Sequence, residues 1–192
     1  MLMDVIDDSI TTFDFPLECR IIYDDAFKDC GKLTNITIPD SVTSIGYDSF
    51  ASSGLTSIVI PKTVINIAHN SFSNCNNLTS IIVEEGNPNY DSRNNCNAII
   101  EKSTNSMISC CNNGFIPDTV EKINGYAFCG IQDTSIVIPK SVRVIEDRAF
   151  YVGINKLTTV YYTGTEEEWN AISIGTENDI LLNATKVFNY VG

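Results

Sequence analysis

Seven cysteines and one histidine, His69, are the residues of this 192-residue chain best suited to nucleophilic attack or metal binding. A thiol becomes reactive when a neighbouring base or positive charge lowers its pKa, so a cysteine–histidine pair is the arrangement to seek. The nearest cysteine that follows His69 is Cys75, but both residues fall at positions explained better by a repeat than by a reaction. No C-x-x-C occurs, and Cys110 and Cys111 are adjacent, which on a strand sends their side chains to opposite faces. The acidic runs Asp4/Asp7/Asp8, Asp24/Asp25/Asp29 and Glu84/Glu85 lack the spacing that converges six to eight oxygens on calcium, so they read as solvated surface. Glycine-rich phosphate loops, a G-x-S-x-G elbow and an H-E-x-x-H helix are all missing. The expectation is a protein without cofactor, metal or catalytic residues, a cysteine-dependent enzyme being the remote alternative.

The order in the chain lies elsewhere. Pro16, Pro39 and Pro61 are followed by Pro117 and Pro139 at matching intervals, and the residues around them recur. Ile36/Ile38, Ile58/Ile60 and Ile136/Ile138 precede a proline; Val42, Val64, Val120 and Val142 follow it. Next come Ile45, Ile67, Ile123 and Ile145, then Phe50, Phe72, Phe128 and Phe150. A first, degenerate copy keeps register through Phe13, Phe15, Cys19, Ile22 and Phe27. A period in the low twenties whose unit begins on a short β pattern marks a solenoid, in which one coil cannot bury its apolar side alone and stacked coils can. Proline should end each strand because it has no N–H to continue a ladder. Cys30 and Cys75 then become equivalent coil-filling positions two coils apart, roughly 10 Å and beyond disulfide reach. His69 becomes an exposed coil residue.

These anchors, L-x-x-I-x-I-P-x-x-V-x-x-I-x-x-x-x-F, resemble the BspA-like leucine-rich repeats, and the resemblance covers nearly the whole chain. It implies a right-handed leucine-rich-repeat-like coil with a parallel β-sheet on one face. "NPNYDSRNNCNAIIEKSTNSMISCC" (87–111) is similar to the hairpin-bearing insert of that class, and "YYTGTEEEWNAI" (161–172) to its capping segment. The family's members are mostly bacterial or protist surface proteins, some of them adhesins. The resemblance therefore implies a cell-surface or secreted location, as part of a longer protein, and a protein or glycoprotein ligand, host extracellular matrix among the candidates.

The organisation expected is a single solenoid over 1–192: repeats in 1–83, the insert in 84–116, repeats again in 117–164 and a small α/β cap in 165–192. In the insert, Ala98–Ile100 and Met107–Cys110 read as strands of a hairpin that protrudes from the array. Folding it about Ser103–Thr104 brings Cys96 opposite Cys110 or Cys111. A disulfide, with Cys111 the nominated partner, competes there with free thiols. In the cap, Thr165 and Glu168 form a capping box at a short helix, and Trp169 and Ile172 cover the last coil.

The net charge of −12 and a pI near 4.3 exclude the basic footprint of a nucleic-acid or anionic-membrane binder, and no apolar run approaches a membrane span. The start, "MLMDVIDDSI", lacks the pattern of a signal peptide. "NIT" (35–37), "NLT" (77–79) and "NAT" (183–185) match the glycosylation sequon, without meaning in a bacterial protein. A binding surface is sought instead among the residues that vary. Between the buried aliphatics of each strand lies one outward residue: Thr37, Val59, Ile82, Val137 and Tyr161. Beside them runs a polar row of Asn35, Ser57, Ser80, Ser135 and Thr159. Four of the five in the first column are apolar on a face that should be wet. Either this ribbon contacts a partner, or it reflects only the preference of strands for β-branched and aromatic residues. A passive spacer or scaffold is the corresponding alternative function.

Overall fold

The computed structural model describes residues 9–151 and 156–192. In chain order its elements are β1 (Ile21–Ile22), β2 (Ser44–Ile45), β3 (Ser57–Ile60), β4 (Asn66–Ile67), β5 (Ser80–Val83) and β6 (Tyr90–Asp91). They continue with β7 (Ala98–Glu101), β8 (Ser106–Cys110), β9 (Lys122–Ile123), β10 (Ser135–Ile138), β11 (Val144–Ile145) and β12 (Thr159–Tyr162). The chain ends on α1 (Glu166–Asn170), β13 (Ser173–Ile174), α2 (Asp179–Asn183) and β14 (Thr185–Val187). These form a β-solenoid with parallel strands and little helix.

Each coil has two walls. The I-x-I segments lie on one, the face, and the V-x-x-I segments on the other. Val42, Val64, Val120 and Val142 are fully buried, as the repeat requires. The phenylalanines fill the corner: Phe27, Phe50 and Phe72 stack in parallel at 5.2 and 5.3 Å, and Phe128 lies on Phe150 at 4.7 Å. Because coils repeat in register, each anchor meets its own copy, and burial is shared between neighbours.

The V-x-x-I wall is the better laddered of the two. β1, β2 and β4 form one parallel run, and β13, β11, β9 and β8 another, which β7 and β6 extend antiparallel. Between the two runs, side chains replace the ladder. Asn87, almost fully buried, donates to the carbonyls of Pro61 (3.0 Å) and Val64 (2.8 Å), and Asn89 to that of Ile65 (2.7 Å). Ile67 N–H donates to the Tyr90 hydroxyl at 3.0 Å.

The insert differs from expectation in one respect. β7 and β8 do form a hairpin, but it does not protrude: β8 is buried along its whole length and β7 up to Glu101. Their alternating residues face two different cores. Ile99, Ile108 and Cys111 pack with the N-terminal coils, whereas Ala98, Ile100, Met107 and Cys110 pack with the C-terminal ones. The hairpin is a septum inside the array. The physical reason is that consecutive apolar residues, Ala98–Ile99–Ile100 in β7 and Met107–Ile108 in β8, leave neither strand a polar face for solvent, and the two serines of β8, Ser106 and Ser109, are small enough to be buried with them. The corner after Phe72 accordingly bonds across to the corner after Phe128, through Asn74 N–H to the Cys129 carbonyl (3.1 Å). Gly130 (φ +91°) is needed there, since a Cβ would lie 2.7 Å from Asn74 Cα.

The cap matches its sequence. Glu168 N–H donates to Thr165 Oγ1, and Thr165 N–H donates to Glu168 Oε2, completing the box on α1. Trp169 and Ile172 are buried, and Trp169 meets Tyr162 edge to face at 5.3 Å.

The candidate binding face and its open joints

Among the described residues the face wall is laddered in two runs, β3–β5 and β10–β12–β14. Their distribution follows the prolines. At the β3–β5 joint the residue after β5 is Glu84, whose N–H donates to the Ile60 carbonyl (2.9 Å). At β10–β12 it is Thr163, whose N–H donates to the Ile138 carbonyl (3.2 Å). At β12–β14, also free of proline, Tyr190 N–H takes the Tyr162 carbonyl (3.0 Å). Pro39, Pro61, Pro117 and Pro139 occupy the same slot at the other joints, and among the described residues no β-ladder forms at any of them. Proline removes the donor that would close the strand pair. The repeat's proline thus does more than end a strand. It unzips the face on the side of the preceding coil.

Unzipped joints open into clefts. One of about 420 Å³ separates Asn35–Ile38 from Ser57–Ile58–Val59, and one of about 330 Å³ separates Phe13–Asp14–Phe15 from Asn35–Ile36–Thr37. A third, of about 220 Å³, lies between Phe115 and Ser135–Ile136–Val137 and reaches inward to Phe128 and Phe150. Each includes one carboxylate, from Glu84, Asp14 and Asp133 respectively, and none is lined by a lysine or arginine.

The outward column is placed by the register. Val59 pairs with Ile82, and Val137 with Tyr161 and then Val187. Ser57 lies beside Ser80, and Ser135 beside Thr159 and Thr185, so the polar row runs parallel to it. Thr37 and Asn35 are exposed but joined to the next coil by no ladder. Two column members escaped the sequence reading. Phe115 stands two residues before Pro117, the place of Val59 before Pro61, and could have been found by that count; Gly114 in the preceding anchor position hid it. Val187 lies on the strand of the cap, where no proline marks the register. Val59, Ile82, Phe115, Val137 and Val187 are between 37% and 50% exposed, whereas Tyr161 is partly covered by the Tyr190 ring at 4.6 Å.

The reactive residues are not assembled. All seven cysteines are buried free thiols, so the Cys96–Cys111 disulfide is not formed. The Cys111 thiol points to the Asn97 carbonyl (3.2 Å), and the Cys96 thiol towards that of Ala98 (4.0 Å). Burial pushes the Cys75 and Cys96 thiols up to about 11 and Cys111 to about 12, the reverse of what activates a nucleophile. His69 is exposed beside Tyr47, with ring centroids 6.4 Å apart. Among the described residues no group of three His, Cys, Asp or Glu side chains could hold a metal, and no helix is long and apolar enough to cross a membrane.

Residues 6–105 and 98–170 match the BspA type leucine rich repeat region in six copies, and the chain belongs to that family. Solved structures share the fold. A leucine rich cell surface protein from Faecalibacterium prausnitzii is 23% identical (TM-score 0.50; 86% of this chain, 63% of that one). A leucine-rich repeat protein from Eubacterium ventriosum is 22% identical (0.56; 90% and 60%). The pneumococcal vaccine antigen PcpA is 16% identical (0.59; 95% and 57%). This chain therefore spans about three fifths of each. No curated protein matches it.

Proposed function

We propose that the chain is a non-catalytic protein-binding module, adhesin-like, of a cell-surface or secreted protein, and that the face wall is its contact surface. The observation that carries this is the apolar column Val59–Ile82 and Val137–Tyr161–Val187, held in register yet open to solvent, with Phe115 between its two stretches. Ordered apolar surface of this kind favours protein contact. The hairpin, buried as a septum, offers only its tip around Lys102–Thr104 and is the weaker surface. A family that includes surface proteins supports the location, and the elevated thiols weigh against the cysteine-enzyme alternative.

The test is a binding screen of the immobilised chain against extracellular-matrix proteins and mucins, beside a Val59→Asp/Val137→Asp double variant. Binding lost in the variant supports the face. Binding kept by both the wild-type chain and the double variant moves the site elsewhere, and a blank screen favours a spacer or scaffold role.

A further inference from the structure

We propose that the cleft between Asn35–Ile38 and Ser57–Ile60 is a receptor for an arginine side chain presented by an acid-complementary, basic partner segment. This deepens the face-wall reading and rests on it. The joint is pinned on either side of the cleft, by Thr56 N–H to the Thr34 carbonyl (3.1 Å) and by Ile65 N–H to the Thr43 carbonyl (2.9 Å). Between those two bonds it opens as a lens of about 420 Å³, room for a long side chain together with part of the segment that presents it.

The chemistry of the lens selects the occupant. Pro61 withholds the N–H that Glu84 and Thr163 supply at the closed joints, so the Ile38 carbonyl has no slot donor. Among the described residues no backbone hydrogen bond joins Asn35–Ile38 to Ser57–Ile60. Glu84 stands at the rim: its Oε2 accepts Lys62 N–H at 3.0 Å, leaving Oε1 for another donor. Ile36, Ile58 and Val59 share the lining with Asn35, Thr37 and Ser57, whose side-chain oxygens add acceptors. A site that combines apolar contact, several acceptors and one carboxylate calls for a group that carries several donors, no acceptor and an aliphatic stem. Guanidinium meets all three requirements. The net charge of −12 draws such a segment in.

The experiment uses the full ¹⁵N-labelled chain titrated with acetyl-Leu-Arg-Leu-amide and with its citrulline and lysine counterparts. Saturable amide shifts at Ile36, Ile38, Val59 and Lys62 are expected with arginine. Citrulline, isosteric but neutral, should bind about tenfold more weakly. Pro61→Thr, which restores the slot donor, should weaken arginine binding at least about fivefold while the spectrum stays dispersed. Pro139→Thr, at a different joint, should leave binding unchanged. Equal responses to arginine and citrulline, or undiminished binding by Pro61→Thr, would overturn the proposal; a lysine peptide that matches arginine would overturn the guanidinium assignment. Capture of a matrix protein that survives Pro61→Thr but not Val59→Asp/Val137→Asp would remove the cleft and leave the face standing.

Discussion

Glu84 and Thr163 make the same two bonds in different coils. Each gives its own N–H to the carbonyl of the preceding coil's last strand residue, Ile60 or Ile138. Each also takes, on a side-chain oxygen, the N–H of the residue after that coil's proline, Lys62 (3.0 Å) or Lys140 (2.9 Å). A carboxylate and a hydroxyl thus serve one role, because the slot asks for an N–H and one acceptor oxygen. Where proline stands instead, both bonds are lost together.

Thr163→Pro should therefore open the β10–β12 joint. Losing the donor and the acceptor at a strand end is expected to cost about 1–3 kcal/mol. Hydrogen exchange at the Tyr161 amide should accelerate, and chemical denaturation would give the free energy. Pro139→Thr is the converse: slower exchange at Val137, with a stability change within about 1 kcal/mol because the new bond offsets proline's restriction of the unfolded chain.

The septum ties the two cores, so its truncation should be felt in both. Ile108→Ala, on the N-terminal side, and Met107→Ala, on the C-terminal side, should each destabilise by about 2–4 kcal/mol. Denaturation followed by Trp169 fluorescence and by far-ultraviolet circular dichroism should remain coincident. Separate transitions would show that the hairpin does not couple the halves.

The cap separates two magnitudes. Trp169→Ala empties a site against Tyr162 and should cost about 3–5 kcal/mol, whereas Thr165→Ala removes one cap bond and should cost about 1 kcal/mol. Thermal melts of the pair would rank them. Equal losses would mean that the tryptophan packs less tightly than its burial indicates.

The thiols give a pH signature. The folded state holds Cys75, Cys96 and Cys111 protonated above the usual thiol pKa, so their contribution is fully present below about pH 9. Above that the unfolded chain loses protons first, and stability should fall as pH rises from 9 towards 11–12, on the order of 3 kcal/mol for each of Cys75 and Cys96 and 4 kcal/mol for Cys111. Denaturant midpoints across pH 8–11 would measure the fall, and Cys75→Ala should reduce its slope. A disulfide reagent at pH 8 should react slowly with the native chain and release seven thiols once it is unfolded.

The anchors were readable because solenoid packing forces identity: Val42, Val64 and their copies meet each other, and a polar exchange at any one would lie fully buried. The capping box was readable for a similar reason, being a local bond pattern of four residues. What a single copy could not show was cooperation between coils. Proline at position 61 reads as a strand stop, but its effect falls on Ile38, a coil away. Similarly, an insert with strands in the right places does not say whether its alternate faces meet water or two cores. The outward column was legible except at Val187, which no proline marks, and at Phe115, which follows a glycine that breaks the pattern; a Cβ at Gly114 would collide with Cys110 Sγ.

The prolines also set a shape. Where the V-x-x-I wall is held by its ladders at their usual spacing of about 4.8 Å, as at β1–β2, β2–β4 and β9–β11, an opened joint lengthens only the opposite wall. The superhelix should then bend away from the face at Pro39, Pro61 and Pro139, and run straighter at Thr163, where β11–β13 and β10–β12 are both laddered. Curvature in such an array is written one residue per coil, and the exchange of proline for threonine at that residue would straighten it by one step.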